Sequence, residues 1–73
     1  STHPAVLNAA NEVLVDAFIA GEVPWLAIVD TVASVVHEHE GVADPSLDDI
    51  VAAQRWADQR ARELVRAGQW KDM

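Results

Sequence analysis

The sequence predicts an all-α fold, a three-helix bundle formed by a single domain. Apolar residues recur at helical spacing in three segments, at about residues 4–20, 25–39 and 47–67. Glycine and proline lie between these segments and mark the loops. At 73 residues the chain is too short for two domains, and without cysteine it must be held together by packing alone.

Pro4 opens the first predicted helix, where its missing N–H is not needed, and Gly21 closes it in a left-handed conformation. Asn11 falls inside a wide apolar arc of this helix. An unpaired buried amide would cost about 1–3 kcal/mol. We therefore predict that Asn11 is buried and hydrogen-bonded to a nearby loop, with a ligand-binding amide as the alternative. The other members of the arc are apolar: Leu7, Ala10, Val13, Leu14, Val15, Ala17 and Phe18.

Pro24 and Trp25 begin the second predicted helix, and Gly41 stops it. Its apolar residues follow steps of three and four rather than the strict alternation of a strand. One face of this helix is therefore predicted to be buried and the other to be polar. The buried face is predicted to hold Ile28, Val29, Val32, Val35 and Val36, and the polar face Asp30, Thr31, Ser34 and Glu38.

Ser46 begins the third predicted helix, with Asp49 three residues on, a spacing typical of a capping box. The apolar stripe of this helix is made mostly of small residues, which would let another helix approach closely. Trp56 is predicted to face away from the stripe. Gly68 ends the helix, and residues 69–73 are predicted to form a short tail. The stripe comprises Ile50, Ala53, Ala57, Ala61 and Leu64.

Charge and hydropathy argue against several classes of function. The formal net charge of −7 opposes binding to the phosphate backbone of nucleic acids. No apolar run approaches the roughly 18 residues of a membrane span. The N-terminal residues lack the pattern of a signal peptide. We therefore expect a cytoplasmic protein with neither nucleic acid nor membrane as a partner.

Histidine and glutamate alternate at His37, Glu38, His39 and Glu40. On a helix, residues i and i+2 point about 200° apart, so the two imidazoles cannot converge on one metal ion. His3 would have to join one of them through tertiary folding. We predict no catalytic, cofactor-binding or metal-binding residue in this chain.

Ser46 also invites comparison with acyl carrier proteins, which are acidic helical domains of similar size that carry a prosthetic group on the serine of an Asp-Ser-Leu motif. Here Pro45 replaces the aspartate, and two predicted helices rather than one precede the serine. A helix-capping role for Ser46 is therefore preferred, with an acyl-carrier-like domain as a minor alternative.

The run Asn8-Ala9-Ala10-Asn11-Glu12 resembles the start of the C-terminal domain of 1-deoxy-D-xylulose 5-phosphate reductoisomerase. Further along the chain the resemblance continues through Val15, Ala17-Phe18, Gly21 and Ile28, and then through Ser46-Leu47-Asp48-Asp49-Ile50, Ala53 and Trp56-Ala57. It covers about residues 3–67. Asp58 departs from the arginine common in that family, and Val23-Pro24-Trp25 departs from its usual Ile-x-Phe.

The resemblance implies a piece of an enzyme that uses NADPH and Mg²⁺ or Mn²⁺ to convert 1-deoxy-D-xylulose 5-phosphate to 2-C-methyl-D-erythritol 4-phosphate in isoprenoid synthesis. It also implies a bacterial cytoplasmic source. In that family the cofactor and the metal are held by upstream domains, so no cofactor is expected in this chain. The C-terminal domain of the family is a four-helix bundle that supports the catalytic domain. The chain thus resembles three of those four helices, with the first expected before Ser1.

Structural rather than catalytic roles follow for six residues: Asn8, Asn11, Glu12, Phe18, Ser46 and Trp56. The remainder of the parent enzyme is the implied partner. Without a fourth helix, the apolar arc of the first helix, at Val13, Val15 or Phe18, should lose part of its cover. We therefore predict that the isolated chain forms a homodimer through its first helix. The alternative is a free-standing acidic interaction module in which the Asn-Ala-Ala-Asn-Glu run is a coincidence.

Overall fold

A computed structural model describes residues 1–68 and confirms the all-α, three-helix arrangement. The helices are α1 (His3–Ile19), α2 (Ala27–Glu38) and α3 (Leu47–Ala67). Residues 69–73, predicted to form a tail, lie outside the described part. α2 begins two residues later than predicted because the chain first makes tight turns, in which the amide of Ala27 donates to the carbonyl of Pro24 at 3.0 Å.

α1 lies between the other two helices and packs against both, whereas α2 and α3 touch each other less. Leu14 is the largest fully buried side chain, and Val6 and Val35 are also fully buried. α3 contributes little volume to the core, because three of its four buried residues are alanines. The core comprises Val6, Ala10, Val13, Leu14, Ala17, Val23, Ala27, Val32, Val35, Ala53, Ala57, Ala61 and Leu64.

Gly21 ends α1 in the left-handed conformation, with φ of 79°, as predicted. The amide of Gly21 donates to the carbonyl of Phe18 at 3.0 Å, and the amide of Glu22 donates to that of Ala17 at 2.8 Å. These two bonds form a Schellman motif, which satisfies carbonyls that the end of a helix leaves unpaired. Gly68 ends α3 in the same conformation, with φ of 67°.

Ser46 caps α3 through both bonds of the predicted capping box. The amide of Asp49 donates to Ser46 Oγ at 3.1 Å, and the amide of Ser46 donates to Asp49 Oδ2 at 3.0 Å. Asp48 and Asp49 also place negative charge in the first turn, where the helix dipole is positive. The serine hydroxyl thus has a defined structural task.

Replacing Ser46 with alanine is expected to lower the free energy of unfolding by about 1 kcal/mol, because the cap would no longer accept the Asp49 amide. Ser34→Ala is the matched control. The Ser34 hydroxyl donates back to the carbonyl of Asp30 at 3.1 Å, a bond that does not stabilise a helix, so its loss should be neutral or slightly stabilising. Urea denaturation followed by circular dichroism measures both changes, and equal effects would contradict the capping role.

α3 buries the predicted stripe from Ala53 to Leu64, whereas Ile50, the first member of that stripe, is only half-buried. Trp56 was predicted to face away from this stripe, and that prediction is wrong in part. Its side chain is half-buried and packs against the core. The indole ring lies 5.5 Å, centroid to centroid, from the ring of His39. The large ring extends over the edge of the stripe toward the end of α2, which its position on the helix alone does not indicate.

α2 buries Val32 and Val35 as predicted, but its buried face is rotated from the predicted one. Thr31, assigned to the polar face, is fully buried, whereas Val29, assigned to the buried face, is 71% exposed. The buried residues follow the steps Ala27, Thr31 and Val35, with Val32 beside them. The four valines of α2 lie within an arc of about 120°, and the structure buries the edge of that arc nearest Thr31. The pattern alone does not indicate which edge packs inward. Within residues 1–68, the hydroxyl oxygen of Thr31 is buried without a hydrogen-bond partner.

Thr31→Val is expected to raise the free energy of unfolding by about 1 kcal/mol, because it removes a buried polar atom that has no partner in the described chain. Thr31→Ser is the matched control, since it keeps the hydroxyl, removes the buried methyl group and should destabilise the fold. Thermal denaturation distinguishes the two variants. A loss of stability in Thr31→Val would indicate that the hydroxyl bonds to a partner.

Candidate functional site

A largely apolar depression lies between α1 and α2, and we call it the α1–α2 groove. It encloses about 370 Å³ and faces solvent. Aliphatic side chains dominate its walls, with one amide and one imidazole at the edges. The groove is lined by Leu7, Asn11, Ile28, Val29, Val32, Ala33, Val36 and His37.

The groove exposes side chains that a soluble helix ordinarily buries. Leu7 is 49% exposed and Val29 is 71% exposed. Phe18 lies three helical turns beyond Leu7 on the same side of α1 and is 40% exposed. It contacts Trp25 edge to face, with ring centroids 6.2 Å apart. Exposed apolar side chains of this size on one side of a helix are typical of surfaces that a partner segment or ligand covers.

The predicted loss of cover on α1 therefore falls on Phe18 and Leu7. Val13, which was named with Phe18, is only 5% exposed and belongs to the core. The difference arises because α1 turns Val13 toward its neighbouring helices and turns Leu7 toward solvent. The arc is thus divided into a buried half and an exposed half.

Asn11 was predicted to be buried and bonded to a loop, and this prediction is wrong. Its side chain is exposed at the edge of the α1–α2 groove. The error arises because apolar residues surround almost the whole of α1, so the middle of the arc could not be located from sequence. An exposed amide needs no protein partner because water satisfies it.

Asn8 and Glu12 lie on a different side of α1 from Asn11. They line a shallow polar depression between α1 and α3, together with Gln54, Arg55 and Asp58. The structure thus separates the polar members of the Asn-Ala-Ala-Asn-Glu run onto two surfaces. Phe18, Ser46 and Trp56 occupy three further places, so the six residues predicted to be structural do not form one cluster.

His37 and His39 lie in different places, although not for the predicted reason, because His39 follows the end of α2 in an extended conformation. His37 lines the α1–α2 groove, whereas His39 stacks beside Trp56 on the opposite side. In the part of the chain that the structure describes, no group of three or more His, Cys, Asp or Glu side chains could hold a metal ion. His3 meets His39 through tertiary folding, with ring centroids 5.1 Å apart.

Sequence reasoning missed Thr2, whose side chain is only 1% exposed. Its hydroxyl bonds Nε2 of His39 and accepts from the amide of Val42 at 3.3 Å. This residue therefore ties the start of α1 to the segment after α2, the task that was predicted for Asn11. A threonine directly before a helix is a detectable signal, but it normally indicates a cap, and here the hydroxyl forms no capping bond.

Several acidic side chains are engaged in structural contacts. Glu38 accepts from Nε of Arg60 at 2.8 Å and so joins α2 to α3. Asp58 accepts from Nε of Arg62 at 2.9 Å, one turn along α3. The bond to Glu38 raises the pKa of Arg60, and the bond to Asp58 raises that of Arg62. Both arginines therefore stay charged across the physiological range.

None of the helices within residues 1–68 has the length and hydropathy needed to cross a membrane.

Comparison with known proteins gives a consistent result. The family model for the DXP reductoisomerase C-terminal domain matches residues 1–60. A 1-deoxy-D-xylulose 5-phosphate reductoisomerase from Desulfosudis oleivorans is 55% identical over 64 residues, which are 88% of this chain and 17% of that protein. The protein of the same name from Pelotomaculum thermopropionicum is 48% identical over 65 residues, 89% of this chain and 17% of that protein.

No solved structure matches the chain significantly. The chain spans 17% of the length of the two curated relatives, so it corresponds to a small part of each. The family model covers well over half of the chain, and the identities are high along most of it. The chain therefore belongs to the family of C-terminal domains of DXP reductoisomerase.

Proposed function

We propose that this chain supports the catalytic part of a 1-deoxy-D-xylulose 5-phosphate reductoisomerase and contributes no catalytic residue of its own. The observation that carries this proposal is the α1–α2 groove, an open surface walled mainly by valine, leucine and isoleucine. Such side chains pack against protein but can neither transfer a proton nor attack a substrate. The groove is therefore suited to holding another part of the protein.

The parent enzyme, in this proposal, rearranges and reduces 1-deoxy-D-xylulose 5-phosphate to 2-C-methyl-D-erythritol 4-phosphate with NADPH and Mg²⁺ or Mn²⁺. Residues 1–68 do not fit either cofactor. They form helices without a strand and glycine-rich turn to receive a phosphate, and they bring no three metal-ligating side chains together. We assign both cofactors to the part of the parent enzyme outside this chain.

Two alternative functions have less support. The Asn-Ala-Ala-Asn-Glu run lies in a chain that matches the family over most of its length, which leaves little ground for an unrelated acidic interaction module. An acyl-carrier-like role would need a free serine hydroxyl to carry a prosthetic group. Ser46 instead accepts a bond from the Asp49 amide as part of its capping box.

The catalytic part of the parent enzyme is the proposed occupant of the α1–α2 groove. The curated relatives are about six times longer than the matched segment, so most of each relative is available to cover this surface. Since the relatives are bacterial biosynthetic enzymes and the chain carries a net charge of −7, we place the parent enzyme in the cytoplasm, with neither membrane nor nucleic acid as a partner.

Separate expression of the two parts tests this function. The parent enzyme without this segment, and this chain alone, are each expected to show no substrate-dependent oxidation of NADPH, and the mixture is expected to regain activity. Val29→Asp places a charge in the α1–α2 groove and should abolish the recovery. Gln59→Asp places the same charge on the exposed surface of α3 and should not.

Activity of this chain alone, or saturable micromolar binding of NADPH to it, would contradict the proposal. Full activity of the parent enzyme without this segment would also contradict it.

In the absence of the catalytic part, we propose that a second copy of the chain covers the groove. Every 100 Å² of apolar surface that two copies remove from water contributes about 2.5 kcal/mol. Sedimentation equilibrium over a dilution series is expected to show a homodimer. Val29→Asp should raise the dissociation constant about tenfold or more, and Gln59→Asp should leave it unchanged. A wild-type monomer at high micromolar concentration would contradict the dimer.

A further inference from the structure

The start of α1, the segment after α2 and the middle of α3 meet at a polar junction formed by Thr2, His39 and Val42, with Trp56 beside it. Thr2 is 1% exposed, so its hydroxyl depends on protein partners rather than on water. That hydroxyl has two of them, Nε2 of His39 and the amide of Val42. The partners lie 37 and 40 residues away along the sequence, so the junction closes only in the folded chain.

The two bonds are compatible with a neutral His39 that carries its proton on Nδ1. Thr2 Oγ1 accepts from the Val42 amide, which can only donate. Its own hydrogen is then directed to Nε2 of His39, which can accept it only when the imidazole is neutral and carries its proton on Nδ1. If Nε2 gains a proton, it becomes a donor. The Thr2 hydroxyl then loses Nε2 as the acceptor for its own hydrogen.

Several charged groups face the junction. His3 contacts His39 from the start of α1, and Nδ1 of His3 lies 2.9 Å from Ser1 Oγ. Glu38 and Glu40 face the junction from the end of α2, and Asp49 faces it from α3. Glu38 is already bonded to Arg60, and Asp49 is bonded to the Ser46 amide. Glu40 is therefore the carboxylate most available to balance a charge on His39.

The electrostatics agree with the hydrogen bonds. Burial lowers the pKa of His39 from its ordinary value of 6.5, the charge of His3 lowers it further, and Glu40 opposes both. A histidine whose folded pKa lies below the unfolded value binds fewer protons when folded. Its contribution to stability is complete above about pH 6.5 and is lost as the pH falls through the folded pKa.

We propose that the junction of Thr2, His39 and Val42 is a proton-operated clamp, which holds the start of α1 on the α2–α3 loop while His39 is neutral and releases it when His39 is protonated. Close packing supports this role. A Cβ atom on Gly41 would lie 2.6 Å from Cε1 of His3, so the loop approaches the histidine pair at a residue without a side chain. His39 also lines an open depression of about 450 Å³ beside Glu40 and Trp56, so protons can reach its ring from solvent.

Denaturation of the 73-residue chain in urea at about pH 7.5 and about pH 5.5, on either side of the ordinary histidine pKa, tests the clamp. The wild-type folded-to-unfolded ratio should fall several-fold at the lower pH. His39→Gln keeps an acceptor for Thr2 and cannot be protonated, so it should lose this dependence. His37→Gln, on the same helix end but facing the α1–α2 groove, should retain it. An undiminished dependence in His39→Gln would overturn the proposal.

A titration followed by NMR on the wild-type chain does not depend on any variant folding. The ring proton of His39 should titrate below about pH 6.5, and the amide signal of Val42 should shift with the same midpoint. Thr2→Ser keeps the hydroxyl and should preserve this coupling, whereas Thr2→Val should abolish it. A titration midpoint of His39 at or above the ordinary histidine pKa would overturn the proposal. So would a Val42 amide signal that does not shift as His39 titrates.

Discussion

Leu14→Ala is expected to unfold most of the isolated chain at room temperature. Leu14 is the largest fully buried side chain and belongs to α1, the helix that packs against both others. Removing three carbons from such a site costs about 3–5 kcal/mol, through the lost transfer energy and the cavity left behind. A domain of this length typically has a free energy of unfolding of only about 3–5 kcal/mol, so the loss is comparable with its whole stability.

Leu47→Ala is the matched control for this change. Leu47 stands at the start of α3 and is 76% exposed, so the same deletion should cost less than about 0.5 kcal/mol. Alanine has the higher helix propensity, so propensity favours both variants equally and cannot explain a difference between them. Circular dichroism in urea gives both values. A cost below about 1 kcal/mol for Leu14→Ala would indicate that the core closes around the cavity.

The ends of the helices were predictable because they depend on neighbouring residues. Gly21 and Gly68 adopt the left-handed conformation that only glycine adopts without strain, and Ser46 forms the capping box that its spacing to Asp49 indicates. The stripe on α3 was predictable for a similar reason. Polar residues cover the rest of that helix, so only one face can be buried.

The faces of α1 and α2 were not predictable from the sequence alone. α1 carries apolar residues on nearly every side, and this distribution leaves its rotation open. α2 has a clearer apolar face, but tertiary packing rotates the buried face toward Ala27 and Thr31. Asn11 was therefore placed inside and Thr31 outside, the reverse of what the structure shows. The apolar residues of these two helices serve two surfaces, since some form the core and others line the α1–α2 groove.

The polar junction at Thr2 could not be predicted because it depends on tertiary arrangement. Its hydrogen bonds connect residues about 40 positions apart, and no local pattern indicates which hydroxyl will meet which imidazole. Asn11 was predicted to bond α1 to a loop, and a connection between the start of α1 and the α2–α3 loop does exist. The prediction placed this connection at the wrong residue. It took Asn11 to be buried, but the sequence does not show which side of the wide apolar arc of α1 faces the core.

Ala57→Leu is expected to destabilise the chain by about 1–3 kcal/mol through overpacking. Ala57 and Ala61 on α3 are fully buried, as is Ala10 on α1. Small residues on both helices let their axes approach toward the short end of the usual range of about 8–10 Å. Three additional carbons at Ala57 cannot be accommodated without separating α3 from α1, the most extensive helix contact in the chain.

Ala52→Leu isolates this steric effect. Ala52 is exposed on the same helix, and the substitution is the same, so the small difference in helix propensity between alanine and leucine applies to both variants. We expect a change within about 0.5 kcal/mol for Ala52→Leu, measured by urea denaturation beside Ala57→Leu. Equal stability of the two variants would show that α3 does not depend on alanine for its approach to α1. A large loss of stability confined to Ala57→Leu would instead show that the small side chains of the α3 stripe set the distance between α3 and α1. That distance also shapes the α1 surface that the rest of the enzyme is proposed to cover.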